Sequence, residues 1–167
     1  MENNKTKKIV MAAMFSALCC VATMIIKIPS PLKGYLNLGD CIVLLSGFML
    51  SPVYAFLAAG IGSALADIFA GYVVYAPPTF IIKGVMALIA YFGFKILHKK
   101  AGVTLSRVIS GIVAEIVMVL GYFVFEGFMY GFTPSAVNIP ANALQGIAGI
   151  IFGVILAKIF DKSFNCK

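Results

Sequence analysis

The sequence has few charges and few of the side chains that catalysis uses. Only 11% of its 167 residues are charged, and it has one histidine and no tryptophan. Ordinary soluble domains are about one quarter charged. No GxxxxGK[ST] loop, HExxH helix or CxxC pair occurs along the chain, which excludes a Walker-type nucleotide hydrolase and the common metal sites. We therefore predict that the protein is not an enzyme and binds no cofactor or metal.

Hydrophobic residues make up 62% of the chain, and apolar runs recur from residue 9 to residue 160. A soluble core of this size cannot cover so many runs, so lipid must cover the rest. The net charge of +7 comes from short basic clusters between the runs, which does not fit a nucleic-acid-binding face. The composition predicts a multi-pass protein of a bacterial or archaeal cell membrane.

Turn residues divide the apolar sequence into six predicted helices. A spanning helix needs about 20 residues, and proline and glycine clusters mark its ends. The second segment is too short to span upright, so it is either a short helix that begins near residue 36 or a re-entrant segment. The predicted fold is all-α, one domain over residues 1–167. The predicted spans are 9–26, 38–50, 53–70, 80–97, 107–126 and 141–160.

Basic residues lie mainly at three places: both termini and the connection between the fourth and fifth helices. Examples are Lys7 and Lys8 near the start, Lys99 and Lys100 in the connection, and Lys162 near the end. Cytoplasmic segments of membrane proteins carry an excess of lysine and arginine. This pattern predicts that both termini are cytoplasmic and that the proline-rich connections face outward.

Five ionisable residues lie within predicted spans or at their ends: Asp40, Asp67, Lys83, Glu115 and Glu126. A charge inside the bilayer costs at least about 2.5–3.5 kcal/mol on insertion scales, so such residues need a partner or a function. All except Glu115 lie at the predicted outer end, which favours a pocket for a small polar ring compound. The predicted substrate-binding residues are Asn37, Asp40, Asp67, Tyr75, Lys83, Glu126, Asn138 and Asn142. The same end also carries Tyr35, Tyr72, Thr79 and Gln145.

Structural roles compete with ligand binding at these positions. Asp40 could instead cap the second helix. Asp67 and Lys83 flank one outer turn, and pairing with each other is the alternative to ligand contact. Glu126 could be solvated at the membrane interface, and tyrosines at span ends often form an interfacial belt. Glu115 has no predicted role.

Small residues four positions apart allow another helix to approach closely. Ala13 and Ala17 share one face of the first helix, and the pairs Ala58 with Gly62 and Gly149 with Gly153 repeat the spacing in later helices. Packing within the bundle explains such pairs as readily as docking of another protein does.

Several of these features together resemble the S components of energy-coupling factor (ECF) vitamin transporters. The resemblance rests on the Ala13–Ala17 face, the outer-loop sequence YLNLGD at 35–40, and the stretch 47–67, with its proline, glycines and final Asp67. It implies a six-helix bundle that binds a vitamin beneath its outer loops. It also implies that a transmembrane T component and two ATPase subunits supply the energy, and that Ala13 and Ala17 dock against the T component.

The resemblance is strongest to the branch that includes riboflavin, hydroxymethylpyrimidine and pyridoxine carriers. Lys83 could meet a phenolate or a ring acceptor, and Asp67 or Asn37 a hydroxyl or a ring nitrogen. These contacts favour pyridoxine or hydroxymethylpyrimidine over a large anion such as folate, with riboflavin next. The alternatives are a stand-alone channel or carrier and, less favoured, a membrane enzyme.

Overall fold

Helices account for nearly all of the computed structural model, which describes residues 2–29 and 35–165. Part of the predicted loop between the first two helices, residues 30–34, lies outside the described residues. The main helices are α1 (Glu2–Ile25), α2 (Gly39–Met49), α3 (Pro52–Phe69), α4 (Ala76–Ala101), α5 (Val103–Tyr130) and α7 (Ile139–Asn165). A one-turn helix α6 (Phe132–Ser135) and 3-10 turns at Val73–Tyr75 and Ala136–Asn138 connect them. Two short antiparallel strands, β1 (Ile28–Pro29) and β2 (Tyr35–Leu36), follow α1.

The short helix α2 forms the centre of the bundle. It packs against α1, α3, α4 and α7, and its residues from Gly39 to Gly47 are all buried. Its 11 residues rise about 16 Å, roughly half the thickness of the hydrocarbon core, so it cannot cross the membrane alone. The prediction of a short second helix is therefore confirmed, although it begins at Gly39. A helix that is apolar on every side belongs in such a buried position.

The other five main helices lie in stretches that are long and apolar enough to cross a membrane. Large apolar side chains cover their outer faces, with Ile81 on α4, Ile116 on α5 and Leu144 on α7 all more than half exposed. Faces of this kind are unfavourable in water and favourable in lipid. The protein is therefore an integral membrane protein, whereas the side on which its termini lie remains a prediction.

The structure corrects two predicted turn regions, because proline begins helices here where breaks were expected. Pro77 and Pro78 lie in the first turn of α4, and Pro140 is the second residue of α7. Proline is tolerated there, since first-turn N–H groups have no partner within the helix. The helix α5 also continues to Tyr130 and ends at Gly131, whose positive φ of 93° suits glycine.

Small residues let the helices approach closely. An added Cβ at Gly62 of α3 would collide with the Ser16 carbonyl oxygen of α1, and one at Gly153 of α7 would lie 3.2 Å from the Cys41 carbonyl oxygen of α2. Packing within the bundle therefore accounts for the small-residue pairs on α3 and α7. Ala13 and Ala17 differ, because both are exposed.

Arg107 and Asp161 join α5 to α7 near the basic end of the bundle. The two nitrogens Nη1 and Nη2 of Arg107 donate to the Asp161 carboxylate over 2.7 and 3.0 Å. The guanidinium carbon lies 5.1 Å from the centre of the Phe94 ring and 5.6 Å from that of Phe48. This bidentate, ring-covered pair neutralises a buried arginine at a position where no partner had been predicted.

Candidate binding pocket at one end of the bundle

A polar pocket lies at the end of the bundle where α1, α3 and α5 finish and α4 and α7 begin. Its cavity volume is about 40 Å³, and about 450 Å³ when all the space between the lining atoms and the open mouth is counted. This is the end opposite the basic clusters. The lining residues are Tyr35, Asn37, Asp67, Tyr72, Tyr75, Thr79, Tyr122, Glu126, Asn138, Asn142 and Gln145.

The pocket brings together six of the eight residues predicted to bind substrate. Asn37, Asp67, Tyr75, Glu126, Asn138 and Asn142 all line it. The other two, Asp40 and Lys83, lie beneath it. Whether any of the six contacts a ligand remains a prediction.

Asp67, at the end of α3, forms one wall together with β2. The Tyr35 hydroxyl donates to Asp67 Oδ1 over 2.8 Å, while Asp67 Oδ2 has no hydrogen-bond partner among the described residues. Burial, and after it the Asp67 carboxylate, raises the pKa of Tyr35 above its usual range, so its phenol stays protonated and donates. The Tyr72 ring packs 5.3 Å from that of Tyr35. Asp67 does not pair with Lys83, and the predicted mutual neutralisation is wrong.

Glu126, near the end of α5, forms the opposite wall. The side-chain nitrogen of Asn138 donates to both of its carboxylate oxygens over 3.0 and 2.9 Å. The Tyr75 hydroxyl donates to one of them over 3.4 Å, and the Tyr75 ring packs against Phe125 at 5.2 Å. Glu126 is therefore a hydrogen-bonded wall residue with 3% exposure, and its predicted alternative as a solvated interfacial group is wrong.

Gln145 connects the pocket to the buried ion pair beneath it. Its Oε1 accepts the backbone N–H of Asn37 over 2.9 Å, and its Nε2 donates to Asp40 Oδ2 over 2.6 Å. Asp40 Oδ1 is ion-paired with Lys83, and the two residues are only 0% and 3% exposed. Both are predicted site residues that the structure places outside the pocket lining. Asn37, not Asp40, accepts a hydrogen bond from the Gly39 N–H at the start of α2.

Tyr122 lines the pocket but is not among the predicted site residues. Its hydroxyl shares a 2.9 Å hydrogen bond with Thr79 of α4, and its ring lies 5.5 Å from Lys83 Nζ. Tyr122 precedes Glu126 by four residues, so both project from the same face of α5. That helical spacing was the signal that could have identified it.

The pocket is acidic and aromatic. It contains the carboxyl groups of Asp67 and Glu126 and four tyrosines, and none of its lining residues in the described parts of the chain is lysine, arginine or histidine. Such a surface offers hydrogen-bond acceptors and flat ring contacts, and it suits a ligand that carries N–H or O–H donors.

A second, apolar groove lies on the outer surface between α1 and α3. Ala13 and Ala17 line it together with residues such as Leu57, Ile61 and Leu65 of α3. Because both alanines are exposed, the groove permits close approach by another helix. Docking of a partner there remains a prediction.

Comparison with known proteins identifies the chain. A sequence model of the family described as "ECF-type riboflavin transporter, S component" matches residues 3–162. The chain belongs to this family. It is therefore an S component of the ECF vitamin transporters, which is a transport protein and not an enzyme, and the resemblance seen in the sequence is confirmed. S components of this kind work together with a T component and ATPases.

Three proteins are similar to this chain over most of its length, and the names of two of them agree with this assignment. The chain is 36% identical over 143 residues to a Pyrococcus woesei protein called "Uncharacterized protein in gap 3' region", covering 85% of this chain and 93% of the relative. It is 26% identical over 165 residues to "Thiamine precursor transporter HmpT" of Lactococcus lactis subsp. cremoris, covering 98% and 93%. A solved structure titled "Structure and mechanism of the S component of a bacterial ECF transporter" aligns with a TM-score of 0.76 at 26% identity, covering 96% and 98%.

Proposed function

We propose that this S component captures hydroxymethylpyrimidine or a closely similar aminopyrimidine outside the cell and delivers it to an energised importer. The observation that carries the proposal is the acidic, tyrosine-lined pocket, in which Asp67 Oδ2 faces no partner among the described residues. An exocyclic amino group is a donor that a carboxylate accepts, and the flat ring suits the faces of Tyr72 and Tyr75.

The position of Lys83 favours hydroxymethylpyrimidine over pyridoxine, the other substrate predicted from the sequence. Pyridoxine was favoured because Lys83 could meet its phenolate, but Lys83 lies beneath the pocket and is ion-paired with Asp40. Without that cation, an aminopyrimidine fits the lining better than a phenolate does. The 26% identity with a thiamine precursor transporter along 98% of this chain supports the same choice. Riboflavin, the vitamin in the family's description, is the second candidate.

Transport requires an orientation and partners. The pocket lies at the end away from the lysine clusters, so the positive-inside rule supports an outward-facing pocket and cytoplasmic termini in a cell membrane. The groove that contains Ala13 and Ala17 is the proposed docking surface for the T component, and two ATPase subunits would bind that component. The chain itself carries no Walker motif, so the ATPase subunits would supply the energy.

Binding measurements on the purified protein test the substrate. Isothermal titration calorimetry with hydroxymethylpyrimidine, pyridoxine and riboflavin should give the lowest Kd for hydroxymethylpyrimidine, and mass spectrometry of ligand retained during purification should agree. Tighter binding of riboflavin or pyridoxine would refute the substrate assignment. Uptake by this chain alone in liposomes without ATP would refute the role as an S component and support the alternative of a stand-alone carrier.

A further inference from the structure

Glu115 lies on α5 below the pocket, and its carboxyl group has no hydrogen-bond partner among the described residues. The side chain is 5% exposed, and neither of its oxygens makes a hydrogen bond with any residue that the structure describes. Two glycines of α7 make room for the carboxyl. A Cβ added at Gly149 would lie 2.9 Å from Glu115 Oε1, and one at Gly146 would lie 3.1 Å from Oε2.

One lysine faces two carboxyl groups at this depth. The titratable groups that act on Glu115 are Asp40 and Cys41 of α2 and Lys83 of α4, whereas Gly146 and Gly149 of α7, which lie against it, carry no titratable group. Lys83 is already ion-paired with Asp40. If Glu115 were ionised as well, the cluster of Asp40, Lys83 and Glu115 would carry an uncompensated buried negative charge, which is strongly unfavourable in a membrane interior.

Three things could neutralise that charge: another basic side chain, a metal ion or a proton. In the described residues, no second basic side chain reaches Glu115, and no three side chains are grouped to hold a metal ion. A metal ion would also be repelled by Lys83. A proton needs no coordination shell and fits the space between α5 and α7. We infer that Glu115 binds a proton in the folded protein and makes the three-residue cluster electrically neutral.

Glu115 lies beside the lipid-facing surface. It lines a shallow groove on the outer surface between α5 and α7, where the other lining residues are apolar, among them Ile112, Ile116 and Ile150. Its two carboxyl oxygens are covered by the protein, and within the part of the chain that the structure describes the groove shares no lining residue with the polar pocket. The inference thus does not depend on which vitamin the pocket binds.

Infrared spectroscopy tests for the proton directly. Spectra of the purified protein, labelled with ¹³C at the side-chain carboxyl groups of glutamate and aspartate, would be compared with those of two variants near neutral pH. Glu115→Gln should remove a protonated-carboxyl C=O band that shifts in ²H₂O. Asp161→Asn, the control, should instead remove a carboxylate band, since Asp161 pairs with Arg107 and lies outside the cluster. Loss of a carboxylate band from Glu115→Gln would overturn the inference.

Discussion

Replacing Lys83 with methionine removes the positive half of the ion pair beneath the pocket. Asp40 is 0% exposed and Lys83 is 3% exposed, so water cannot solvate the carboxylate that remains. Gln145 still donates to Asp40 Oδ2, but the charge on Asp40 loses its counter-ion. Breaking a buried pair in this way costs about 3–5 kcal/mol. The free energy of unfolding should fall by that amount in Lys83→Met.

The double variant Lys83→Met with Asp40→Asn isolates the effect of the stranded charge. Neither Asp40 nor Lys83 leaves an unpaired ion in this variant, and the new amide is close in shape to the carboxylate. Because well-matched neutral replacements of buried pairs are often tolerated, its free energy of unfolding should fall by about 2 kcal/mol or less relative to the wild type. Lys99→Met is a control on the same helix α4, because Lys99 is exposed, and it should change stability by less than about 1 kcal/mol.

Equilibrium unfolding in mixed micelles of a mild detergent and sodium dodecyl sulfate, followed by circular dichroism, gives the free energy of unfolding of the wild type and of the three variants. A double variant at least as unstable as Lys83→Met would refute the reasoning, because the loss would then come from packing and not from an uncompensated charge. A loss below about 1 kcal/mol in Lys83→Met would show that Asp40 does not need Lys83.

Three further outcomes are expected. Replacing both Ala13 and Ala17 with leucine should abolish vitamin uptake by the assembled transporter and leave the Kd of the isolated protein within about twofold of the wild-type value. Leucine at the exposed Ala143 of α7, the control, should change neither uptake nor Kd. Equal loss of uptake and binding in the Ala13 and Ala17 variant would contradict the docking role. Asp67→Asn should raise the Kd for vitamin about 10- to 100-fold in calorimetry, since a hydrogen bond to a charged group is worth about 1.5–3 kcal/mol; an unchanged Kd would make Asp67 a structural residue. Because the folded-state pKa of Tyr35 is raised, its hydrogen bond to Asp67 should persist at pH about 10, where an ordinary tyrosine is half ionised, and be lost only as the pH rises through the higher folded value. Tyrosinate absorbance of the wild type minus that of Tyr35→Phe checks this, and half ionisation of Tyr35 at that pH would contradict it.

Much of the fold follows from the sequence, because lipid makes simple demands on it. Every spanning segment must satisfy its own backbone and present apolar side chains, so the runs of helix length are readable directly. The helix ends were less accurate. Pro77 and Pro78 suggested a turn, yet proline also fits a first helical turn, and only the packed structure distinguishes these cases.

The membership of the pocket was also largely readable. Polar residues are so rare in this chain that those near one end of the helices had few other places to lie, and most of the predicted set lines the pocket. The sequence by itself determined that a polar site exists at this end and that the rest of the chain faces lipid or a tight helix interface.

Only the tertiary structure decided which charges pair. Lys83 is 16 residues from Asp67 and 43 from Asp40 in the chain, yet it pairs with the more distant one. The physical reason is that α2 is short and central, which places Asp40 beneath Gln145 and beside α4. The same packing leaves Asp67 facing the pocket and Glu115 against the glycines of α7. Such pairings depend on the depth and rotation of neighbouring helices, which spacing along one helix does not encode.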